Sequence, residues 1–247
     1  MHNTHLKLPD GRSVNFTIRP NPRAKYMRMH LSADKGLVVT QPAGVNAHQL
    51  LQWINSQMDW IATHLPKVEA LAQQSPAQTL CVPDSVELPA TGETLKIIYT
   101  STADRGITRS YRANDSLLLT GAVGNTEFCC QVLQDWLKDY ARYHLGKLLQ
   151  QATQETGLHY DSYRVKGQTT RWGSCSTRGN INLNYKLMLL PAEWVRYTLI
   201  HELCHTVEMN HSRRFWALVE KFVPEYKTVH ADMKGAMARL PGWVNAE

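Results

Sequence analysis

The segment that most constrains this chain is Leu199-Ile200-His201-Glu202-Leu203-Cys204-His205, with Asn210-His211-Ser212 shortly after it. His201 and His205 stand four apart. In a helix that spacing puts both imidazoles on one face, about one turn apart, so both can reach a single ion. Glu202 is turned about 100° from His201 and stands beside the ligands rather than among them. A zinc ion lowers the pKa of water from near 16 toward about 7, and Glu202 is placed to take the proton released. Ile200, Leu203, Cys204 and Val207 form an apolar stripe beside the histidines. The helix is therefore expected at the margin of a core, starting at Pro191 and running to about Met209.

Three protein ligands with one open position are the usual catalytic set. His211 follows His205 by six residues, too far along for the same helical face, so the helix must end first. Asn210 tolerates the left-handed backbone that ends helices, which would let His211 swing back. His211 is the favoured third ligand; Glu220, Glu225, His230 and Asp232 are the other candidates. The His201–His205–His211 spacing matches the HExxHxxGxxH pattern of metzincin proteases, but Glu208 replaces its glycine, so that class is not carried over. Arg171, Tyr197, Arg213 and Tyr226 are candidate donors to a transition state. Cys204, pointing into the apolar stripe, reads as a small buried hydrophobe.

Around this segment the chain reads as α+β. Residues 6–40 alternate as strands, with a hairpin around Asp10-Gly11. Asn46 and Gln49 form a capping box for a helix at about 46–65, and the pattern fades through residues 65–78 as in a linker. Strands return over 79–120. From Asn125 or Thr126 a long helix reaches about Thr156, its buried stripe marked by Phe128, Val132, Trp136, Tyr140 and Leu148. A hairpin follows (Arg164–Ser176 and Ile181–Lys186), then the histidine helix, a helix capped by Ser212, and a last one over about 225–239. The division is expected near residue 121: a β-rich region, 1–120, then a helix-rich catalytic domain, 121–247. No internal repeat is apparent.

The bulk properties narrow the classes further. At 247 residues and 43% hydrophobic content the chain can bury a proper core. No apolar run is long enough for a membrane and the start lacks a signal-peptide core, so a cytoplasmic protein is expected. The five cysteines are odd in number and include no CxxC pair, which suits reduced thiols. The net charge of +6 divides evenly: residues 1–120 carry 12 Lys+Arg against 9 Asp+Glu, and residues 121–247 carry 15 against 12. One run, Arg12, Arg19, Arg23, Lys25 and Arg28, lacks acids between Asp10 and Asp34. A solvated strand face is the favoured reading there, ahead of a nucleic-acid site.

Four stretches together resemble the YgjP-like metallopeptidase-domain family: Arg171-Trp172-Gly173-Ser174-Cys175, the His201–His205 helix, Asn210-His211-Ser212 with Phe215-Trp216, and Pro224-Glu225-Tyr226-Lys227. The basic N-terminal strands and the helix with Trp53 and Trp60 are similar to the family too. The resemblance implies a zincin-like second half, His211 as third ligand to one Zn²⁺ (or another divalent metal), and the Arg171–Cys175 segment beside the cleft. Arg171, Trp172 and Tyr226 become candidate substrate contacts. A metallopeptidase acting on peptide or protein is the leading function. The resemblance also implies an alternative, pyrophosphohydrolysis of a nucleoside triphosphate such as UTP. A non-enzymatic, zinc-stabilised module binding nucleic acid or protein is the third.

Overall fold

In the computed structural model the described residues are 3–8, 11–32, 36–74, 81–112 and 115–246. They divide into two compact units, Met1–Ala77 and Gln78–Glu247. The packing boundary therefore lies some forty residues before Gly121, where strands give way to helices inside the second unit. The α+β class holds in both units.

In the first unit β1 (Asn3–Lys7), β2 (Ser13–Asn21), β3 (Arg28–Ser32) and β4 (Gly36–Pro42) form a sheet of order β1-β2-β4-β3. Only β2 and β4 run parallel. Strand alternation sends Val14, Phe16, Leu37 and Val39 inward against Leu50, Ile54, Ile61 and Leu65 of two helices. Asp10 of the expected hairpin turn lies outside the described residues, but its strands pair as anticipated, Leu6↔Val14 and Lys7↔Ser13. The capping box forms: Asn46 Oδ1 accepts from Gln49 N at 2.9 Å and Gln49 Oε1 from Asn46 N at 3.1 Å. The expected single helix is two, α1 (Ala47–Ser56) and α2 (Met58–Gln74), broken at Gln57. Good helix formers such as Glu69 and Ala70 carry α2 past Pro66 through most of the expected linker. Of the basic run, Arg19 and Arg28 flank Thr40 on the sheet face away from the helices, exposed, and Arg12 lies 3.6 Å from Glu69.

In the second unit β5 (Ser85–Leu88), β6 (Glu93–Ser101), β7 (Ile107–Arg112) and β8 (Ser116–Gly121) form a sheet of order β5-β6-β8-β7, with β6 and β8 parallel. This repeats the first sheet's order and strand senses, and each sheet leads into a helix capped by an asparagine, Asn46 or Asn125. The chain thus contains a topological repeat, where none is apparent in the sequence. Its traces are sparse: Leu37-Val38-Val39-Thr40 against Leu117-Leu118-Leu119-Thr120, and Gln52 against Gln131.

Helix α3 (Thr126–Thr156) ends at Gly157, whose φ of 70° is left-handed. Its buried stripe is centred on Leu133, Leu137, Leu145 and Leu149; Trp136 and Tyr140 join it, while Phe128, Val132 and Leu148 are only half-buried. The stripe packs in one core with Ile97 and Leu119 and with Leu199, Ile200 and Leu203 of the histidine helix. Next come β9 (Ser162–Lys166), β10 (Gly173–Cys175) and β11 (Asn180–Asn184), order β10-β11-β9, so β10 is an edge strand. Helices α4 (Ala192–Cys204), α5 (Arg213–Phe222) and α6 (Tyr226–Asp232) complete the unit, followed by a 3-10 turn at Ala236–Arg239 where a longer last helix was expected. All five cysteines are free. No helix among the described residues is long and apolar enough to cross a membrane.

Candidate metal centre

Helix α4 delivers His201 in its last turn and His205 at its C-cap. It stops at Cys204, several residues before the expected end at Met209. The chain then winds through turns in which Val207 and Glu208 N–H both donate to Cys204 O, at 3.1 and 2.9 Å. Asp115 is the only described non-glycine residue with positive φ, so Asn210 does not provide the expected left-handed stop. The early end also turns Val207 out of the apolar stripe, leaving it 60% exposed. Ser212 then caps α5, its Oγ accepting from Phe215 N at 3.3 Å, and holds His211 at the helix entrance.

The result brings His211 Nε2 to 3.1 Å from His201 Nε2. One ligand nitrogen from each of His201, His205 and His211 lies within 4.8 Å of the others. Two imidazole nitrogens on one tetrahedral ion at about 2.0–2.1 Å sit roughly 3.3 Å apart, so the cluster fits a single ion. His205 Nδ1 faces Glu208 O at 3.0 Å, and a carbonyl only accepts, so Nδ1 carries the proton and Nε2 is bare toward the cluster. Burial first, then the neighbouring His205, His211 and His230, push the His201 pKa down to about 3 and keep it neutral. Aromatic rings wall the site: Phe215 stacks on His205, Trp216 on His211, and Tyr226 on Trp216.

Glu202 is 5% exposed, and its Oε2 has no hydrogen-bond partner. Burial raises its pKa to about 8, against a smaller downward pull from Arg171. Edge strand β10 presses on it. A Cβ at Gly173 would stand 2.5 Å from Glu202 Oε1, so any side chain there must displace the carboxyl or the strand. Both residues line a pocket of about 390 Å³ with Trp172, Tyr197, His201 and His230.

The structure thus gathers His201, His205, His211 and Glu202, with Trp172 in the pocket wall and exposed Arg171 flanking it. Tyr226 is buried behind Trp216 and does not line the pocket. Glu220, Glu225 and Asp232 do not join the cluster, and Arg213 does not line the pocket; Glu220 pairs with Lys227 at 4.0 Å. His230 enters the pocket as a neighbour of Tyr197, outside the three-histidine cluster. Two features of the site carry no signal in the sequence. Gly173 sits inside the quoted Arg171–Cys175 stretch, but its close approach to Glu202 is a tertiary fact. The Tyr197–His230 contact spans 33 residues with no spacing signal.

The sequence profile of the YgjP-like metallopeptidase domain matches residues 25–236. The chain belongs to the YgjP-like family. The match starts within the first unit and ends beyond α6, so the family's pattern takes in part of the first unit and most of the second of this YgjP-like chain. By class it is a metallopeptidase-domain protein, a class that implies a divalent metal, and His201, His205 and His211 stand close enough together to offer ligands to one ion. Among solved structures it is similar to the metallopeptidase zymogen abylysin of Pyrococcus abyssi, 29% identical over 39% of this chain and 94% of that one, TM-score 0.34. It is also similar to the metallopeptidase zymogen jannalysin of Methanocaldococcus jannaschii, 16% identical over 38% and 96%, TM-score 0.34. No curated protein matches the chain.

Proposed function

We propose that this YgjP-like chain is a zinc-dependent metallopeptidase in which His201, His205 and His211 hold one ion and Glu202 is the general base. The observation that carries the reading is a buried carboxylate with a partnerless oxygen beside three imidazoles that meet at one point. Three imidazole nitrogens without a thiolate suit zinc. When bound, the ion polarises the scissile carbonyl and acidifies water.

The chain's own residues supply the rest. Glu202, its Oε2 buried without a partner, is placed to take a proton from water and to pass it to the leaving amine. Strand β10 has one edge unpaired in its sheet, so Gly173-Ser174-Cys175 offers backbone N–H and C=O groups to an extended peptide. Trp172 supplies an apolar wall for the peptide's side chains. Arg171 restrains the carboxyl's pKa from outside the pocket. Tyr226 acts indirectly, holding the Trp216 ring that stacks on His211.

The test is cleavage of an unfolded protein such as casein by zinc-loaded protein, beside the Glu202→Gln variant. The wild type is expected to cleave. The variant should keep one zinc per chain and lose cleavage by about 10²- to 10⁴-fold, the usual range for a general base. Undiminished cleavage by the variant sinks the mechanism. Pyrophosphate released from UTP, with no peptide cleaved, overturns the substrate assignment.

A further inference from the structure

Resting on the metal site proposed above, we infer that Tyr197 couples that site to His230, so that an ion held at His201 sets His230 as a hydrogen-bond donor into the pocket. Tyr197 is buried one turn before His201 on α4. Its hydroxyl lies 3.4 Å from His201 Nδ1 and 2.9 Å from Nδ1 of His230, which comes from α6. One hydroxyl has one proton. It can donate to one of these imidazoles while accepting from the other.

The metal reading decides the direction. His201 points Nε2 at the cluster, and an imidazole that ligates through Nε2 keeps its proton on Nδ1. His201 Nδ1–H then donates to the Tyr197 oxygen, and Tyr197 O–H donates to His230 Nδ1. A neutral His230 must therefore carry its proton on Nε2. His230 lines the pocket together with His201 and Glu202, and Trp216 braces its ring edge-on at 5.7 Å. Its Nε2–H becomes a fixed donor on the substrate side, suited to an oxygen that gains negative charge during acyl transfer. Tyr197 is the positioning residue.

Without an ion the constraint lifts. The His201–His211 contact, Nε2 to Nε2 at 3.1 Å, can keep its proton on either ring. When His201 Nε2 keeps it, Tyr197 donates to His201 Nδ1 and accepts from His230 Nδ1–H, leaving His230 Nε2 bare. Passage to the other arrangement moves the His230 Nδ1 proton to the Tyr197 oxygen and the Tyr197 proton to His201 Nδ1. His201 Nε2 gives a proton to water, His230 Nε2 takes one from water, and the net charge is unchanged.

The test is ¹⁵N-histidine NMR of the full chain at pH 8, where an ordinary imidazole is neutral, with His230 assigned through His230→Gln. Metal-free protein should show mixed His230 tautomers. One equivalent of zinc should drive His230 to protonated Nε2 and bare Nδ1. Tyr197→Phe, which keeps the ring and should keep the fold by its melting profile, should bind zinc about 10- to 100-fold more weakly, the usual effect of losing a ligand's hydrogen-bond partner. At zinc saturation its His230 should stay mixed. Protonated Nδ1 on His230 in zinc-loaded wild type, or the same pure Nε2–H form in Tyr197→Phe, overturns the coupling. Zinc that shifts none of His201, His205 and His211 removes the metal site beneath it, a distinct result.

Discussion

A methyl group at position 173 has no room, because Glu202 occupies the space that it would take. Gly173→Ala should therefore displace the carboxyl or β10, at about 1–3 kcal/mol for an overpacked contact. Its signature is lost cleavage with zinc content unchanged, measured by peptidase assay and metal analysis; full activity would mean the contact yields freely. Glu202 itself gives a pH prediction. Its folded pKa, about 8, stands above the ordinary 4.5 because burial penalises the charge. The cost is absent below pH 4.5, grows as pH rises, and is complete above pH 8. In metal-free protein Glu202→Gln removes it, so the variant should match wild type near pH 4.5 and exceed it at pH 9. The gap should be on the order of 5 kcal/mol in urea melts, given about 1.36 kcal/mol per pKa unit. A difference that does not change with pH would contradict the buried charge. At this scale the residues proposed to react are legible in sequence, since His201, Glu202 and His205 follow from helical spacing alone. Gly173 is not, because a glycine in a strand announces a close approach without naming its partner.

At the scale of elements, the histidine helix is legible and its end is not. A stop at Asn210 rests on residue preference, whereas α4 ends at Cys204 and returns through turns anchored on the Cys204 carbonyl. No residue type in 205–210 signals that winding. Ser212 is the legible part of the return, since a serine ahead of an apolar run is a helix cap. Ser212→Ala should cost about 1 kcal/mol of stability and loosen His211. Zinc affinity should fall several-fold in a competition titration, and a melting loss with unchanged affinity would separate the cap from the ligand. The stripe on α3 shows the same limit. Helical period places Trp136 and Tyr140 inside, but Leu133 and Leu137, one position along from Val132 and Trp136, take the centre because the second sheet and α4 converge there.

For the whole molecule, the α+β class is legible from alternation giving way to helical period, while the units are not. The composition changes at Gly121, but β5–β8 pack their Ile97 and Leu119 against α3 in the core that also holds α4. Both copies of the repeated sheet-and-helix topology keep their hydrophobic pattern and little identity, so the repeat emerges only from strand order. Residues 78–247 have a core of their own and all three histidines. Expressed alone, they should melt cooperatively and bind zinc with the affinity of the full chain. Zinc-edge X-ray absorption of the loaded full-length protein tests whether three imidazoles hold one zinc. The expected result is four light-atom neighbours at about 2.0–2.1 Å, three of them with the outer-shell scattering of histidine. A sulfur neighbour near 2.3 Å, or fewer than three histidines that persists when His211 is changed to alanine, would contradict it.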